Sequence, residues 1–295
     1  MSLKNKIKSY WELTKPDITL LVLISTLLGY FLGAQFLGES ILGNPSVLIH
    51  LMIGSYLTSA GVAILNEYIE REQDATMNRT NTRPLPSGRI SPKDALIFGI
   101  SVSVMGVIDL ALLVNLYCGI LSFITIAIYL FIYTPIKQKT PWNTLVGAIP
   151  GALPPVGGWL AATGNITYQT LVVFCLLFCW QIPHFLSIAW LYRTDYKKGG
   201  FKMFMIDNKD RFQSNILLVG FCILTLIFSL FLIPTPIASI TLISICATII
   251  MGLWYVISAL KMALKQCVKN ARRLLFVSII YIPAILIILV TGNLV

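Results

Sequence analysis

Residues 65–92 read LNEYIEREQDATMNRTNTRPLPSGRISP, and this stretch decides how the rest of the chain is arranged. It begins in the last turn of an apolar run at about 45–66 and ends just before another at about 95–115. Between the two lie five acidic residues (Glu67, Glu70, Glu72, Asp74 and, just beyond, Asp94) and four arginines. A polar loop that sharply divided, joining apolar runs of about 20 residues, is the pattern of helices that cross a bilayer.

Working outward, such runs fall at about 18–38, 45–66, 95–115, 117–134, 142–162, 168–191, 214–233, 237–260 and 274–292. Of the 295 residues 57% are apolar and 12% charged, against roughly 25% charged in a soluble domain. The mean hydropathy of +0.82 agrees. Period-2 alternation with short turns, the signature of a membrane barrel, is absent. The runs are therefore expected to be helices, which satisfy their own backbone in lipid. The expected fold is an all-α integral membrane protein of nine transmembrane helices, with residues 1–295 forming a single polytopic domain. This composition excludes a disordered chain, a disulfide scaffold and a nucleic-acid binder.

The formal charge of +10 is explained by topology. All 22 Lys and Arg precede span 1 or follow spans 2, 4, 6 and 8, Lys209 among them, and the alternate connectors carry none. Cytoplasmic loops are the ones enriched in Lys and Arg. The N-terminus is thus predicted to be cytoplasmic and the C-terminus outside. The first apolar run lacks a small-residue cleavage site and no Arg- and Ser-rich transit segment precedes it, so it reads as retained in the plasma (inner) membrane of a prokaryote. The six cysteines form no CxxC pair and five lie in apolar runs, where cysteine acts as a small hydrophobe.

Three polar groups call for chemistry. Asn66, Glu70 and Asp74 recur at i, i+4 and i+8, so on a helix their side chains drift only about 80° around one face. Hard oxygen ligands in that pattern suit Mg²⁺, which binds through one or two carboxylates plus substrate phosphates. The competing reading is a solvated helix end, since Glu67 and Glu72 are also present and Glu70-Arg71-Glu72 reads equally as surface charge. Arg79, Arg83 and Arg89, which follow immediately and are complementary to phosphate, favour the first. Next, His184 stands inside span 6 beside Gln181 and Pro183, and an intramembrane ionisable residue is a candidate site. Asp195, Tyr196 and Lys197 follow it in an acid-plus-base loop. Last, Tyr133, Thr134 and Lys137 end span 4 at the cytoplasmic edge, where a lysine either snorkels or holds phosphate. Asp109 and His50, towards the opposite face, receive no role.

These residues resemble the UbiA superfamily of intramembrane prenyltransferases, and within it the haem-modifying branch. The likeness rests on Asn66-x-x-x-Glu70-Arg71-Glu72-x-Asp74, Arg83-Pro84-Leu85 and Ser87-Gly88-Arg89. It extends through Tyr133-Thr134 with Lys137, and through Gly151-Ala152-Leu153-Pro154-Pro155 with Gly158-Trp159. Trp180-Gln181-Ile182-Pro183-His184-Phe185, Asp195-Tyr196 and Gly199-Gly200 complete it. Two departures stand out: glutamate where the family more often has aspartate at 70 and 72, and Phe201-Lys202-Met203-Phe204 after Gly200. The resemblance implies transfer of a farnesyl group from farnesyl diphosphate to a vinyl group of protohaem IX (haem B), giving haem O. Asn66, Glu70 and Asp74 would hold Mg²⁺ and, with His184 and Asp195, do the chemistry. Arg71, Arg79, Arg83, Tyr133, Lys137, Tyr196 and Lys197 would bind substrate, and His184 would face the haem. It further implies haem A synthase or oxidase assembly factors as partners. The alternatives are a UbiA-type enzyme acting on an aromatic acid or quinone precursor and, from another class, a secondary transporter. Transporter sites sit near the midplane on broken helices, whereas these acids crowd one face.

Overall fold

The computed structural model describes residues 3–206, 211–232 and 238–293, and of 238–241 and 290–293 the backbone alone. Lys209 and the expected span boundaries at 233 and 237 lie outside or at the edge of the described residues. The chain divides into two compact units, one of residues 1–166 with 195–202, the other of 167–194 with 203–295. Among the described residues nine helices are long and apolar enough to cross a membrane, and no strand is present.

The first unit holds α1 (Leu3–Leu13), α2 (Pro16–Phe36), α3 (Pro45–Ile69), α4 (Arg71–Thr76) and α5 (Pro92–Leu113). A span from Leu116 to Ile136 follows, built from α6 (Leu116–Ala127), a π-helical turn (Ile128–Tyr133) and α7 (Thr134–Ile136). Then comes α8 (Asn143–Thr163). Sequence chemistry sets the starts. Proline opens α2, α3 and α5, where its missing N–H costs nothing, while Asn44 and Ser91 cap the amides of Val47 and Asp94. Helix α2 packs along α8 and α3 along α5. Glycine permits the first contact: a Cβ on Gly29 would come within 1.9 Å of the Pro155 carbonyl oxygen, and one on Gly158 within 2.0 Å of that of Thr26. Lipid gives apolar helices no hydrophobic reason to associate, so close backbone approach through small residues drives the packing. The two residues left without a role, His50 and Asp109, pair at 3.0 Å and tie α3 to α5.

The second unit holds α9 (Tyr168–Leu191), α11 (Arg211–Phe231), α12 (Ala238–Leu264) and α13 (Val268–Asn293). Between the two parts of the chain lies α10 (Arg193–Lys198), whose residues from Asp195 onward belong to the first unit. A capping box between Thr167 and Thr170 starts α9. Within a largely aliphatic core, two buried tyrosines are held by polar contacts: Tyr281 Oη pairs with Ser229 Oγ at 2.9 Å, and Tyr255 Oη donates to the Trp180 carbonyl at 2.9 Å. Helix α13 begins well before residue 274 because Lys269, Arg272 and Arg273 ride on its first turns. Lys93 and Asp94 do the same on α5.

Candidate active site

The site of the first unit grows from the end of α3. Helical hydrogen bonding is not broken there but bent. The Glu70 amide still donates to the Asn66 carbonyl at 2.9 Å, and the Asp74 amide to that of Glu70 at 2.8 Å. Asn66, Glu70 and Asp74 therefore share one side, and all three are buried. Buried charges need partners, and each acid has one. Lys137 Nζ lies 2.8 Å from Glu70 Oε1, and Arg83 Nη1 lies 2.8 Å from Asp74 Oδ2.

A third acid completes the row. Glu67, to which the sequence reading gives no role beyond the alternative of a solvated helix end, is only 1% exposed. Its Oε1 lies 3.8 Å from Arg83 Nε and 4.0 Å from Lys15 Nζ, and Lys15 also donates to Asn66 Oδ1 at 3.2 Å. Glu67, Glu70 and Asp74 are spaced three and four apart, a tighter helical face than the amide-led ladder. That spacing was the available signal. Glu72 does point to solvent, 79% exposed at its side chain. Lys15 carried no signal beyond its charge. It precedes Pro16 in the left-handed conformation (φ 46°), which turns the chain into α2 and the ammonium inward.

The second loop folds against this group. Asp195 Oδ2 accepts the Arg79 amide at 3.2 Å, Thr76 Oγ1 donates to the Lys198 carbonyl at 3.2 Å, and the Arg79 guanidinium covers the Tyr196 ring at 5.6 Å. The Lys202 amide donates to the Lys137 carbonyl at 2.8 Å, holding the end of the Leu116–Ile136 span beside the loop. Within that span the π turn widens the helix so that Thr134 Oγ1 reaches the Tyr129 carbonyl at 2.9 Å and stands 3.4 Å from Asn66 Nδ2. Such π turns recur at functional sites. Lys137 Nζ stands 4.5 Å over the Tyr133 ring.

The structure thus brings together Asn66, Glu70, Asp74, Arg83, Tyr133 and Lys137, with Arg79, Asp195 and Tyr196 in the adjoining loop. Arg71 stands apart, donating to the Tyr68 carbonyl at 2.7 Å and reaching Glu72 at 3.4 Å. Lys197 is exposed. His184 lies in the second unit, half-buried on α9, its ring 5.2 Å from Trp180 and Nδ1 2.8 Å from Ser278 Oγ.

Electrostatically the group is balanced, three acids against Lys15, Arg83 and Lys137. Burial, with the Arg83 charge, lowers the Lys15 pKa to about 8 against the partial support of Glu67. Burial also works against the Lys137 charge, but Tyr133, Glu70 and Tyr129 outweigh it, so its pKa lies above that of a free lysine. Among the described residues no three His, Cys, Asp or Glu side chains are gathered closely enough to cage a cation unaided. Yet Glu67 Oε2 is buried with no hydrogen-bond partner, and a row of carboxylate and amide oxygens fits Mg²⁺ arriving with phosphate ligands of its own. Beside it opens a cavity of about 470 Å³ lined by Glu12, Lys15, Glu67, Thr82, Arg83, Pro84 and Arg89. Its lining carries three cations against two acids, with Arg89 paired to Glu12 at 2.6 Å.

Comparison with known proteins bears on these features. The model of the UbiA prenyltransferase family matches residues 22–280. The protoheme IX farnesyltransferase of Solibacter usitatus is 41% identical over 282 residues, 94% of this chain and 96% of that protein. A solved digeranylgeranylglyceryl phosphate synthase superposes with a TM-score of 0.76 at 17% identity, covering 98% of each chain. A UbiA homologue from Archaeoglobus fulgidus, bound to DMAPP and Mg²⁺, superposes with a TM-score of 0.66 at 18% identity over 96% of this chain and 99% of that one. At such identities the last two bear on the fold alone.

Proposed function

The chain belongs to the UbiA prenyltransferase family, and from that premise we propose that it transfers a farnesyl group from farnesyl diphosphate to a vinyl group of protohaem IX, giving haem O and diphosphate. The observation that carries the chemistry is the buried row Glu67, Glu70 and Asp74, matched by Lys15, Lys137 and Arg83. The choice of acceptor rests on the near-full-length likeness to a protoheme IX farnesyltransferase.

An allylic diphosphate reacts when the electron pair of its C1–O bond leaves with the diphosphate, so catalysis is mainly stabilisation of the departing charge. Asn66, Glu67, Glu70 and Asp74 would hold Mg²⁺, which supplies positive charge to the phosphate oxygens. Lys15, Arg83 and Lys137, which pair with these carboxylates, would be the cations that bind the diphosphate oxygens. Arg79, held over Tyr196 by the second loop, adds a further positive charge. The carbocation is then attacked by the haem vinyl group, water adds to the porphyrin-side cation, and a proton is lost. Reactants and products balance as farnesyl diphosphate, haem B and water on one side and haem O and diphosphate on the other. His184 is assigned to the haem side.

The distribution of all 22 basic residues supports a cytoplasmic N-terminus and a site on the cytoplasmic side of a prokaryotic plasma membrane. Haem A synthase or oxidase assembly factors remain the natural consumers of the product. The test is mass analysis of haem from the purified protein incubated with haem B, farnesyl diphosphate and Mg²⁺. The expected product is hydroxyethylfarnesyl haem. Unchanged haem, with prenylation of an aromatic acid instead, would replace the acceptor and leave the diphosphate chemistry standing.

A further inference from the structure

The hydrogen bonds around Ser278 on α13 determine which nitrogen of His184 carries a proton. Ser278 Oγ lies 2.6 Å from the Leu275 carbonyl oxygen and 2.8 Å from His184 Nδ1. Two oxygens at 2.6 Å need a proton between them, and a carbonyl has none to give. The single hydroxyl proton of Ser278 is therefore committed to Leu275. Towards the imidazole the same oxygen can only accept, so His184 Nδ1 must bear the hydrogen. A neutral imidazole has one N–H, which leaves Nε2 as the free lone pair.

The neighbours favour that neutral form. His50 has a carboxylate partner, Asp109 at 3.0 Å. His184 instead packs against Trp180 and Phe185, with ring centroids at 5.2 and 5.7 Å. Trp180 is itself fixed by Ser278, its Nε1 donating to the Ser278 carbonyl at 2.7 Å. One serine thus sets both the tautomer of the imidazole, through its hydroxyl, and the position of the indole stacked on it, through its carbonyl. Metal-binding histidines are commonly oriented this way, by a second hydrogen bond from the nitrogen that does not bind.

We propose that Ser278, together with Trp180, is a positioning residue that holds His184 as the Nδ1–H tautomer, so that Nε2 is presented as an axial ligand to the iron of the haem substrate. This rests on the reading that the acceptor is haem, and the experiment separates the two. The chain contains two histidines, so a His50→Gln protein labelled with ¹⁵N-histidine shows one imidazole, whose tautomer is read from its nitrogen shifts without haem. The Nδ1–H form is expected, becoming a mixture in Ser278→Ala and restored in Ser278→Thr. An Nε2–H form in the parent overturns the proposal whatever the activity. Ferric haem titrated into the same proteins should give the high-spin spectrum of a haem with a single imidazole ligand. Affinity should fall about tenfold or more in Ser278→Ala and be kept in Ser278→Thr. If Ser278→Ala does not fold, the parent tautomer and the Ser278→Thr titration carry the test. An Nδ1–H parent whose bound haem lacks the imidazole spectrum overturns the iron ligation while leaving haem as acceptor. A parent that binds no haem overturns both.

Discussion

Lys137 Nζ sits 2.8 Å from Glu70 Oε1 and 4.5 Å over the Tyr133 ring, although 67 positions separate the two charged residues in the chain. A buried ammonium with a carboxylate partner in place is a charge held ready for transfer to an incoming phosphate. Removing it leaves Glu70 buried and uncompensated, which costs stability as well as activity. Lys137→Met should lower kcat about 100-fold or more, the scale of losing one pre-placed stabiliser of developing charge. It should also lower the melting temperature, and a Lys137→Met, Glu70→Gln double variant should recover stability without recovering activity. Steady-state kinetics and thermal melts in detergent distinguish these outcomes. Normal turnover in Lys137→Met would remove the lysine from the diphosphate site.

Glu67 and Glu72 differ by five positions and by environment, the first buried, the second largely exposed. Glu67→Gln keeps the shape, removes the charge shared by Lys15 and Arg83, and takes a hard oxygen from the metal. We expect at least a tenfold rise in the Mg²⁺ concentration needed for half-maximal rate, and a large fall in kcat. Glu72→Gln should change neither by more than about twofold. Equal effects of the two substitutions would show that Glu67 is charge balance alone.

Lys15 supplies a pH dependence. In protein stripped of divalent cations, burial and Arg83 hold its pKa at about 8, below the 10.5 of a free lysine. Between those two values the unfolded chain binds the proton and the folded chain does not, so stability rises with pH. Below pH 8 the contribution of the group is at its least favourable. The full effect is on the order of 3 kcal/mol, at about 1.4 kcal/mol per unit. Chemical denaturation from pH 7.5 to 10.5 should therefore show the parent gaining on Lys15→Met as pH rises. A difference that stays constant, or moves the other way, would mean that Lys15 keeps its charge throughout.

Such pairings explain what the sequence could convey. The spans were legible because lipid forces long apolar runs, and Asn66, Glu70 and Asp74 because helical spacing places them on one face. Glu67 looked like Glu72 because both are glutamates amid charges, and burial depends on which helices close over them. Lys15 was visible only as a topological charge, since its contact with Asn66 joins residues 51 apart. Arg71 reads as a phosphate ligand by proximity, yet the Tyr68 carbonyl claims its guanidinium. His184 was marked by its place in an apolar run, while the hydroxyl that orients it lies 94 residues away.

The cytoplasmic sidedness proposed for the site rests on the basic loops and has its own test. Ser87 is exposed in the segment between α3 and α5, which carries four of the 22 basic residues, with a fifth, Lys93, at the start of α5. Asn165 is exposed in the connector between α8 and α9, which carries none. Positively charged loops are retained on the cytoplasmic side, so the two positions should face opposite compartments. In a background with the six native cysteines replaced, Asn165→Cys should react with a membrane-impermeant thiol reagent in intact cells. Ser87→Cys should react with it only after the membrane is opened. Because the Ser87 loop also contains Arg79 and Arg83, labelling there should be slowed by farnesyl diphosphate with Mg²⁺ and unaffected at Asn165. Reaction of Ser87→Cys from outside would invert the topology and place diphosphate release in the outer compartment, where no cytoplasmic pool of prenyl diphosphate reaches it.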